Sequence, residues 1–234
     1  MALREELKVQ GDFLFRYRSY FPLILLVPGL ALIVVGKGSQ IWMEEPAVFV
    51  SLLGLIIRAH AVAFSGSHTS GRNTDAGQVA EMLNTKGLYS ITRNPLYVGN
   101  YFMWLGIAML TCSPWFVGIF TLIFWIYYER IVYAEEEFLR EKFGEVYLQW
   151  TANTPIFIPF KLRWLRSDSP FLWKKVLIQE KNGFLALFLI FFLFELLSEW
   201  IETQLWAISK PWLLAMVIFS TVSYIIIKLL KRRF

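Results

Sequence analysis

The chain has 234 residues, of which 56% are hydrophobic and only 18% are charged. Its mean hydropathy is +0.50. A soluble domain normally carries about a quarter charged residues, so the composition excludes an ordinary soluble domain and indicates an integral membrane protein. The net charge of +5 suits anionic lipid at an inner leaflet and is not taken as a sign of nucleic-acid binding. The lone Cys112 cannot form an internal disulfide, and two histidines do not make a metal site.

Apolar stretches near twenty residues long recur along the chain, as is typical of membrane-crossing helices. We therefore predict an all-α, polytopic membrane helix bundle with about six transmembrane helices, forming a single integral membrane domain over residues 1–234. The predicted spans are Leu14–Val35, Ala47–Phe64, Leu96–Thr111, Trp115–Val132, Gly183–Leu197 and Pro211–Leu230. The last two form a C-terminal two-helix extension over residues 183–234.

The distribution of basic residues predicts the orientation of the bundle. Of the 23 Lys and Arg residues, only Lys37 and Lys210 fall in loops on the outer side. The others lie on the inner side or at the inner ends of helices. The positive-inside rule therefore predicts that both termini are cytoplasmic.

Two polar segments, Ser65–Arg93 and Glu129–Asn182, interrupt the apolar pattern on the cytoplasmic side. The first is rich in Gly, Ser, Thr and Asn, which predicts a loop, with Gln78–Leu83 as a candidate short helix. Only Cys112–Trp115 separates the third and fourth spans, and so short a turn predicts an antiparallel hairpin. The cytoplasmic start of the third span and the cytoplasmic end of the fourth should therefore be neighbours.

The end of the fourth span carries three consecutive glutamates in EEEFLREKFGEVYLQW. On one continuous helix, Glu136 lies within an apolar stripe, Glu135 lies at its edge and Glu137 faces water. The stripe consists of Leu139, Phe143, Val146, Tyr147 and Trp150. A carboxylate on an apolar face needs a cation or several hydrogen-bond donors. The spacing fits equally well a solvated first turn of a new helix, where acidic residues favour the helix dipole.

The start of the third span lies in GLYSITRNPLYVGN, Gly87–Asn100. Pro95 is tolerated in the first turn of a helix, and Asn94 suits the N-cap position. Free backbone N–H groups at such a start favour an anion, and Arg93 adds a cation. Taken singly, Arg93 is also typical of a snorkelling anchor and Tyr97 of an interfacial aromatic residue. Together the two phrases predict a site with cationic groups on one side and carboxylates on the other, which suits a zwitterion with an amino-acid end.

RNPLYVG followed by EExxLxxxFGxxY resembles the isoprenylcysteine carboxyl methyltransferase superfamily, which includes phospholipid methyltransferases. The resemblance covers a methyltransferase core over residues 87–159. It implies S-adenosyl-L-methionine as cofactor and a lipid or lipid-anchored acceptor that enters from the bilayer. The cofactor-binding residues that it implies are Gly87, Tyr89, Arg93, Asn94, Pro95, Tyr97, Gly99, Glu135, Glu136 and Tyr147.

The chain departs from the usual pattern of this superfamily at three positions. Asn94 stands where the family usually has histidine, so a proton-shuttling role there is not expected. Trp150 replaces a second tyrosine, and Ile156 stands where many relatives have arginine. The stretch Thr69–Thr74, with the two C-terminal spans, resembles a bacterial branch similar to lipid A phosphate methyltransferases, which implies a bacterial inner membrane.

The resemblance also implies roles for the charged residues. Glu135 and Glu136 would hold polar or cationic parts of the cofactor, while Arg93 or Arg72 would orient a carboxylate or phosphate acceptor. The predicted catalytic residues are therefore Arg72, Arg93 and Glu136, with no metal. An ionised acceptor needs no general base, whereas an amine acceptor would need one, and a glutamate could serve. A prenylcysteine carboxylate, a phosphatidylethanolamine amine and a lipid A phosphate all stay open, as does the oligomeric state.

Two other function classes stay open. Sterol reductases are distantly similar over the same region, so an integral membrane NADPH-dependent reductase is the alternative, with Arg72 and Arg93 binding a phosphate. A small transporter or scaffold would need polar residues at the bilayer midplane. The first, third and fourth spans offer few of them.

Overall fold

A computed structural model of the chain describes residues 2–18, 20–36, 43–65, 72–74, 77–159 and 163–230. Within these ranges the regular secondary structure is helical apart from one antiparallel pair of three-residue strands, so the predicted all-α class is confirmed. The helices are α1 (Leu3–Tyr17), α2 (Phe21–Ile24), α3 (Leu26–Val35), α4 (Glu44–Phe64), α5 (Pro95–Met109), α6 (Pro114–Phe143), α7 (Glu145–Asn153), α8 (Trp173–Thr203) and α9 (Pro211–Leu230). The strands are β1 (Arg72–Thr74) and β2 (Gly77–Val79).

Four of these helices, α4, α6, α8 and α9, are long and apolar enough to cross a membrane. Helix α5, in the third predicted span, has 15 residues, and α3, in the first predicted span, has 10. Both helices are shorter than a full crossing. Helix α6 has 30 residues and is therefore about 45 Å long, against a hydrocarbon core of about 30 Å. It is therefore longer than the hydrocarbon core, and its C-terminal turns carry the three glutamates.

The first predicted span, Leu14–Val35, is not a single helix. Helix α1 ends at Tyr17, and α2 and α3 follow as separate short helices. Helix α1 instead lies along the last turns of α6, where a Cβ at Gly11 would lie 2.2 Å from the Arg130 carbonyl oxygen. Its Lys8 lies 3.1 Å from Glu141 of α6. The charged side chains of α1 therefore form ion pairs with the charged end of α6. A position across the membrane would not provide these partners.

One further sequence prediction concerns the loop after α4. The short helix predicted at Gln78–Leu83 is wrong, because β2 occupies Gly77–Val79 and pairs with β1. The glycines and polar side chains of this segment favour a tight hairpin over a helix. Lys37 and the first part of the Thr69–Thr74 stretch lie outside the described residues.

Helices α4 and α5 pack with their backbones in direct contact. A Cβ at Gly106 of α5 would lie 2.1 Å from the Ser51 hydroxyl oxygen and 2.2 Å from the Ala47 carbonyl oxygen. A Cβ at Gly54 of α4 would lie 2.5 Å from the Gly99 carbonyl oxygen. Small residues allow such an approach between membrane helices. This contact fixes the start of α5, which carries the Arg-Asn-Pro motif.

A buried charge cluster joins α4, α8 and α9 at the opposite end of the bundle from the Arg-Asn-Pro motif. Lys210, just before α9, forms an ion pair with Glu44 and lies 3.4 Å from Glu195. The side chains of the two glutamates are only 7% and 3% exposed. One ammonium group therefore partners two carboxylates that have almost no access to water.

We predict that Gly106→Ala destabilises the protein, because the new methyl group overlaps α4. Overpacking of this kind costs about 1–3 kcal/mol. The matched control is Gly118→Ala in α6, where a Cβ would meet nothing within 4 Å. That change should be neutral or stabilise the helix by up to about 1 kcal/mol. Thermal unfolding in detergent, followed by circular dichroism, should give a lower Tm for the first variant only. Equal Tm values would contradict the close α4–α5 contact.

We also predict that Lys210→Met lowers stability, because it leaves two buried carboxylates without their cation. Removing one partner of a buried pair costs about 3–5 kcal/mol. Lys228→Met makes the same change at an exposed position of α9 and should have little effect. Chemical unfolding of both variants in the same micelles measures the difference. If the Lys210 variant is as stable as the Lys228 variant, the cluster does not hold α9 in place.

Candidate active site

A cavity of about 600 Å³ lies among α4, α5, α6, α7 and α8. Its volume is in the range of small-molecule sites. One end is polar and the other is apolar. The polar wall contains Arg18, Arg58, Asn84, Tyr89, Arg93, Asn94, Tyr97, Asn100, Tyr128, Glu135, Glu136, Tyr147 and Trp150, together with Gln179 and Asn182 of α8. The apolar wall contains Met103, Trp104, Ile107, Gly183, Ala186, Leu187 and Ile190.

The two sequence motifs meet at the polar end of this cavity. The Tyr97 hydroxyl donates a hydrogen bond to Glu135 Oε2 over 2.6 Å. Arg93 Nη1 lies 2.9 Å from Glu136 Oε1. The predicted convergence of the Arg-Asn-Pro segment and the glutamate segment is therefore confirmed.

The predicted directions of the three glutamates are partly wrong. Glu135 and Glu136 face the cavity as expected, but Glu137 does not face water. It is 9% exposed and forms an ion pair with Arg4, because α1 covers that side of α6.

The predicted apolar stripe is also interrupted. Helix α6 ends at Phe143 and Gly144 has a φ of +52°, which favours glycine. The chain changes direction there, so Tyr147 of α7 is buried with Leu139, whereas Val146 is 64% exposed.

Three polar atoms at this end of the cavity lack hydrogen-bond partners within the described part of the chain. They are Asn84 Nδ2, Arg93 Nε and Glu136 Oε1. The Arg93–Glu136 pair is close enough to be ionic, but its geometry is not that of a hydrogen bond. Buried donors and acceptors are costly when unpaired. This end can therefore accept a ligand that carries both an anionic and a cationic group.

Backbone contacts hold the Arg-Asn-Pro segment against the segment that follows α7. The Arg93 N–H donates to the Pro155 carbonyl oxygen over 2.9 Å, and the Thr92 hydroxyl donates to the Ile156 carbonyl oxygen over 2.9 Å. The Asn94 side-chain amide also donates to the Ile156 carbonyl oxygen, over 3.3 Å. Asn94 occupies the N-cap position of α5, but its side chain makes no capping bond.

The free backbone N–H groups predicted at the start of α5 are fewer than expected. Pro95 has no N–H group, and the N–H groups of Tyr97 and Val98 donate to the Asn94 carbonyl oxygen. An anion at this end would therefore depend on the Arg93 side chain rather than on the helix start.

Three predicted site residues do not line the cavity with a described side chain. Gly87 adopts a φ of +62° in a turn, where its N–H donates to the Leu165 carbonyl oxygen over 2.8 Å. Gly99 faces α4, and a Cβ there would lie 2.5 Å from Arg58 Cγ, so it serves helix packing. The backbone of Arg72 is in β1, but its side chain lies outside the described residues.

Two phenols complete the polar wall. Burial raises the pKa of Tyr89, and the Glu135 carboxylate raises it further. Burial likewise raises the pKa of Tyr147, with an added contribution from Glu136. Both phenols therefore stay protonated at neutral pH and can donate hydrogen bonds to a ligand.

Sequence reasoning missed Arg18, Arg58, Asn100 and Tyr128 of the polar wall. A signal for Arg58 was present, because a charged residue within an apolar segment is a candidate functional residue. A second signal was the spacing of Tyr97, Asn100 and Trp104, which lie on one face of a helix. Among the described residues, no group of three or more His, Cys, Asp or Glu side chains could hold a metal ion.

Several curated proteins are similar to the chain. Protein-S-isoprenylcysteine O-methyltransferases of Tribolium castaneum and Xenopus laevis are 27% and 29% identical over 119 residues, which is 51% of this chain. The matched parts are 42% and 41% of those proteins, so the chain spans about two fifths of their length. The nickel-cobalt-cadmium resistance protein NccN of Alcaligenes xylosoxydans xylosoxydans is 27% identical over 163 residues, covering 69% of this chain and 73% of that protein.

No solved structure is significantly similar to the chain. The family model described as phospholipid methyltransferase matches residues 25–146, which is just over half of the chain and includes the first motif and all but the last residue of the second. The chain belongs to the phospholipid methyltransferase family.

Proposed function

We propose that the protein is a membrane methyltransferase that uses S-adenosyl-L-methionine to methylate a lipid or lipid-anchored acceptor carrying a carboxylate or a phosphate. The observation that carries the proposal is that one and the same cavity has paired charges at one end and apolar side chains at the other. A charged soluble cofactor suits the first end, and an apolar chain suits the second. Family membership and the names of the isoprenylcysteine O-methyltransferases support the same reaction class.

The unpartnered polar atoms fit the amino-acid end of this cofactor. Arg93, with its free Nε–H, would hold the carboxylate, and Glu136, with its free Oε1, would hold the ammonium group. Glu135 already accepts a hydrogen bond from Tyr97 and would add negative charge near the cationic parts of the cofactor. Such charge-assisted hydrogen bonds are about twice as strong as neutral ones.

When bound, S-adenosyl-L-methionine supplies a methyl group on a positively charged sulfur, which an ionised acceptor oxygen takes by in-line displacement. The protein's contribution is then positioning and exclusion of water. The buried Tyr97, Tyr147 and Leu139 line the polar end of the cavity and would limit access of water to a bound cofactor. No side chain needs to remove a proton from an acceptor that is already ionised. A cytoplasmic position of this end would let the cofactor arrive from the cytosol.

We predict that S-adenosylhomocysteine binds the purified protein and that Glu136→Gln weakens binding between tenfold and a hundredfold. A hydrogen bond to a charged group contributes about 1.5–3 kcal/mol, which corresponds to that range. Glu145→Gln is the matched control, because Glu145 is exposed and does not line the cavity. Isothermal titration in detergent measures all three affinities.

The same titration tests the reductase alternative. Binding of NADPH, with no binding of S-adenosylhomocysteine, would overturn the proposal. Equal affinities of the two glutamine variants for S-adenosylhomocysteine would also count against the assigned role of Glu136.

A further inference from the structure

The apolar end of the cavity is a cleft between α5 and α8. Met103, Trp104 and Ile107 line it from α5, and Gly183 and Leu187 line it from α8. Seven residues of helix separate Asn100 from Ile107, so the cleft runs for about 10 Å beyond the polar end. The cleft is therefore extended along α5. Helix α8 lies beyond the part of the chain that the family model matches.

Arg58 of α4 lies where the polar end meets this cleft. Its Nε and Nη2 donate to Glu180 of α8 over 2.8 and 2.9 Å, a two-point ion pair. Its Nη1 donates to Asn100 Oδ1 over 2.5 Å, and the Asn100 amide donates to the Tyr128 hydroxyl over 3.2 Å. The guanidinium is thus held in one orientation by α8 and α5, and α6 contacts it only through Asn100. The Arg58 side chain is 22% exposed, whereas that of Glu180 is 7% exposed.

The guanidinium of Arg58 keeps hydrogen-bonding capacity after these contacts. A guanidinium has five N–H donors, and the bonds to Glu180 and Asn100 use three of them. Within the described part of the chain, one N–H on each terminal nitrogen remains for a ligand in the cavity. Two N–H groups on neighbouring nitrogens match the two oxygens of a carboxylate or a phosphate.

Gly183 keeps the cleft open beside this group. A Cβ there would lie 3.5 Å from Met103 Cε and 3.8 Å from Glu180 Oε2, which is ordinary van der Waals contact. A leucine at this position would fit the helix but would extend into the space between α5 and α8. The glycine therefore leaves room for a chain at the point where the cleft begins.

We propose that Arg58 is the headgroup-binding residue of an acceptor site for an anionic amphiphile, whose apolar chain lies in the α5–α8 cleft. Glu180 and Asn100 act as positioning residues for the guanidinium. The site takes a carboxylate or a phosphate on an apolar chain, and it discriminates against a neutral headgroup. This inference rests on the proposed function, since it assigns the residues that bind the acceptor of that reaction.

The test uses bromine as a short-range quencher of tryptophan fluorescence. The protein in nanodiscs of zwitterionic lipid is titrated with ω-bromoundecanoate, ω-bromoundecyl phosphate and ω-bromoundecanol, at a pH where both acids are ionised. The difference in quenching between the parent protein and the Trp104→Phe variant reports occupation of the cleft, because Trp104 lines it. We expect half-maximal quenching by at least one of the acids at a tenfold lower concentration than by the alcohol.

The variants separate the headgroup from the chain. Arg58→Gln combined with Glu180→Gln removes the ion pair without leaving a buried charge alone, and it should abolish the preference for an acid over the alcohol. Gly183→Leu should reduce the Trp104-dependent quenching by all three probes, whereas Gly118→Leu, which lies away from the cavity, should not. The tighter of the two acids identifies the headgroup.

Equal quenching by the acids and the alcohol, or quenching that Gly183→Leu does not change, would overturn the inference. Titration of the same samples with S-adenosylhomocysteine keeps the two proposals distinct. If S-adenosylhomocysteine does not bind but the preference for an acid is intact, only the methyltransferase assignment is contradicted. Normal cofactor binding without acid selectivity would remove the acceptor site alone.

Discussion

A charged side chain inside a membrane helix bundle is stable only when an opposite charge lies beside it, because the bilayer offers no water to solvate it. The chain meets this constraint with ion pairs between different helices and loops. Arg58 pairs with Glu180, Arg93 pairs with Glu136, and Lys210 is shared by two glutamates. Each charge that would be costly alone therefore fixes the relative position of two or three segments of the bundle.

The close contact of α4 and α5 depends on the absence of side chains, and it places one of these charges. Gly99 of α5 lies directly against the Arg58 side chain, where a Cβ would be 2.5 Å from Cγ. The guanidinium can therefore pass α5 and reach Asn100, one residue further along. Gly99, which the resemblance implied as a cofactor-binding residue, allows an arginine to enter the cavity wall. The contact that packs α4 against α5 therefore also sets the position of Arg58 in the cavity wall.

The sequence predicted the parts of the molecule that local patterns specify. The helix hairpin of α5 and α6 follows from the short Cys112–Trp115 connection, and it brings Tyr97 to Glu135 as expected. The direction of Glu137 could not be predicted, because it depends on the packing of α1, which is distant in sequence. The pairing of Arg58 with Glu180 is equally non-local, since 122 positions separate the two residues. Hydropathy also joined α1, α2 and α3 into one span, because it does not register turns between apolar segments.

The division of the cavity bears on how one family core could serve different acceptors. The polar end is built from α4, α5, α6, α7, α8 and the loop before α5, and most of its residues lie within the part that the family model matches. One wall of the cleft, and the carboxylate that orients Arg58, come from α8, which lies beyond that part. On our proposal the cofactor end therefore comes mostly from the matched part, whereas the acceptor end combines α4 and α5 of that part with α8. A change in α8 can then alter the headgroup or chain that is accepted without disturbing the residues assigned to the cofactor. Relatives that share only the core would be expected to share the methyl donor and to differ in what they methylate.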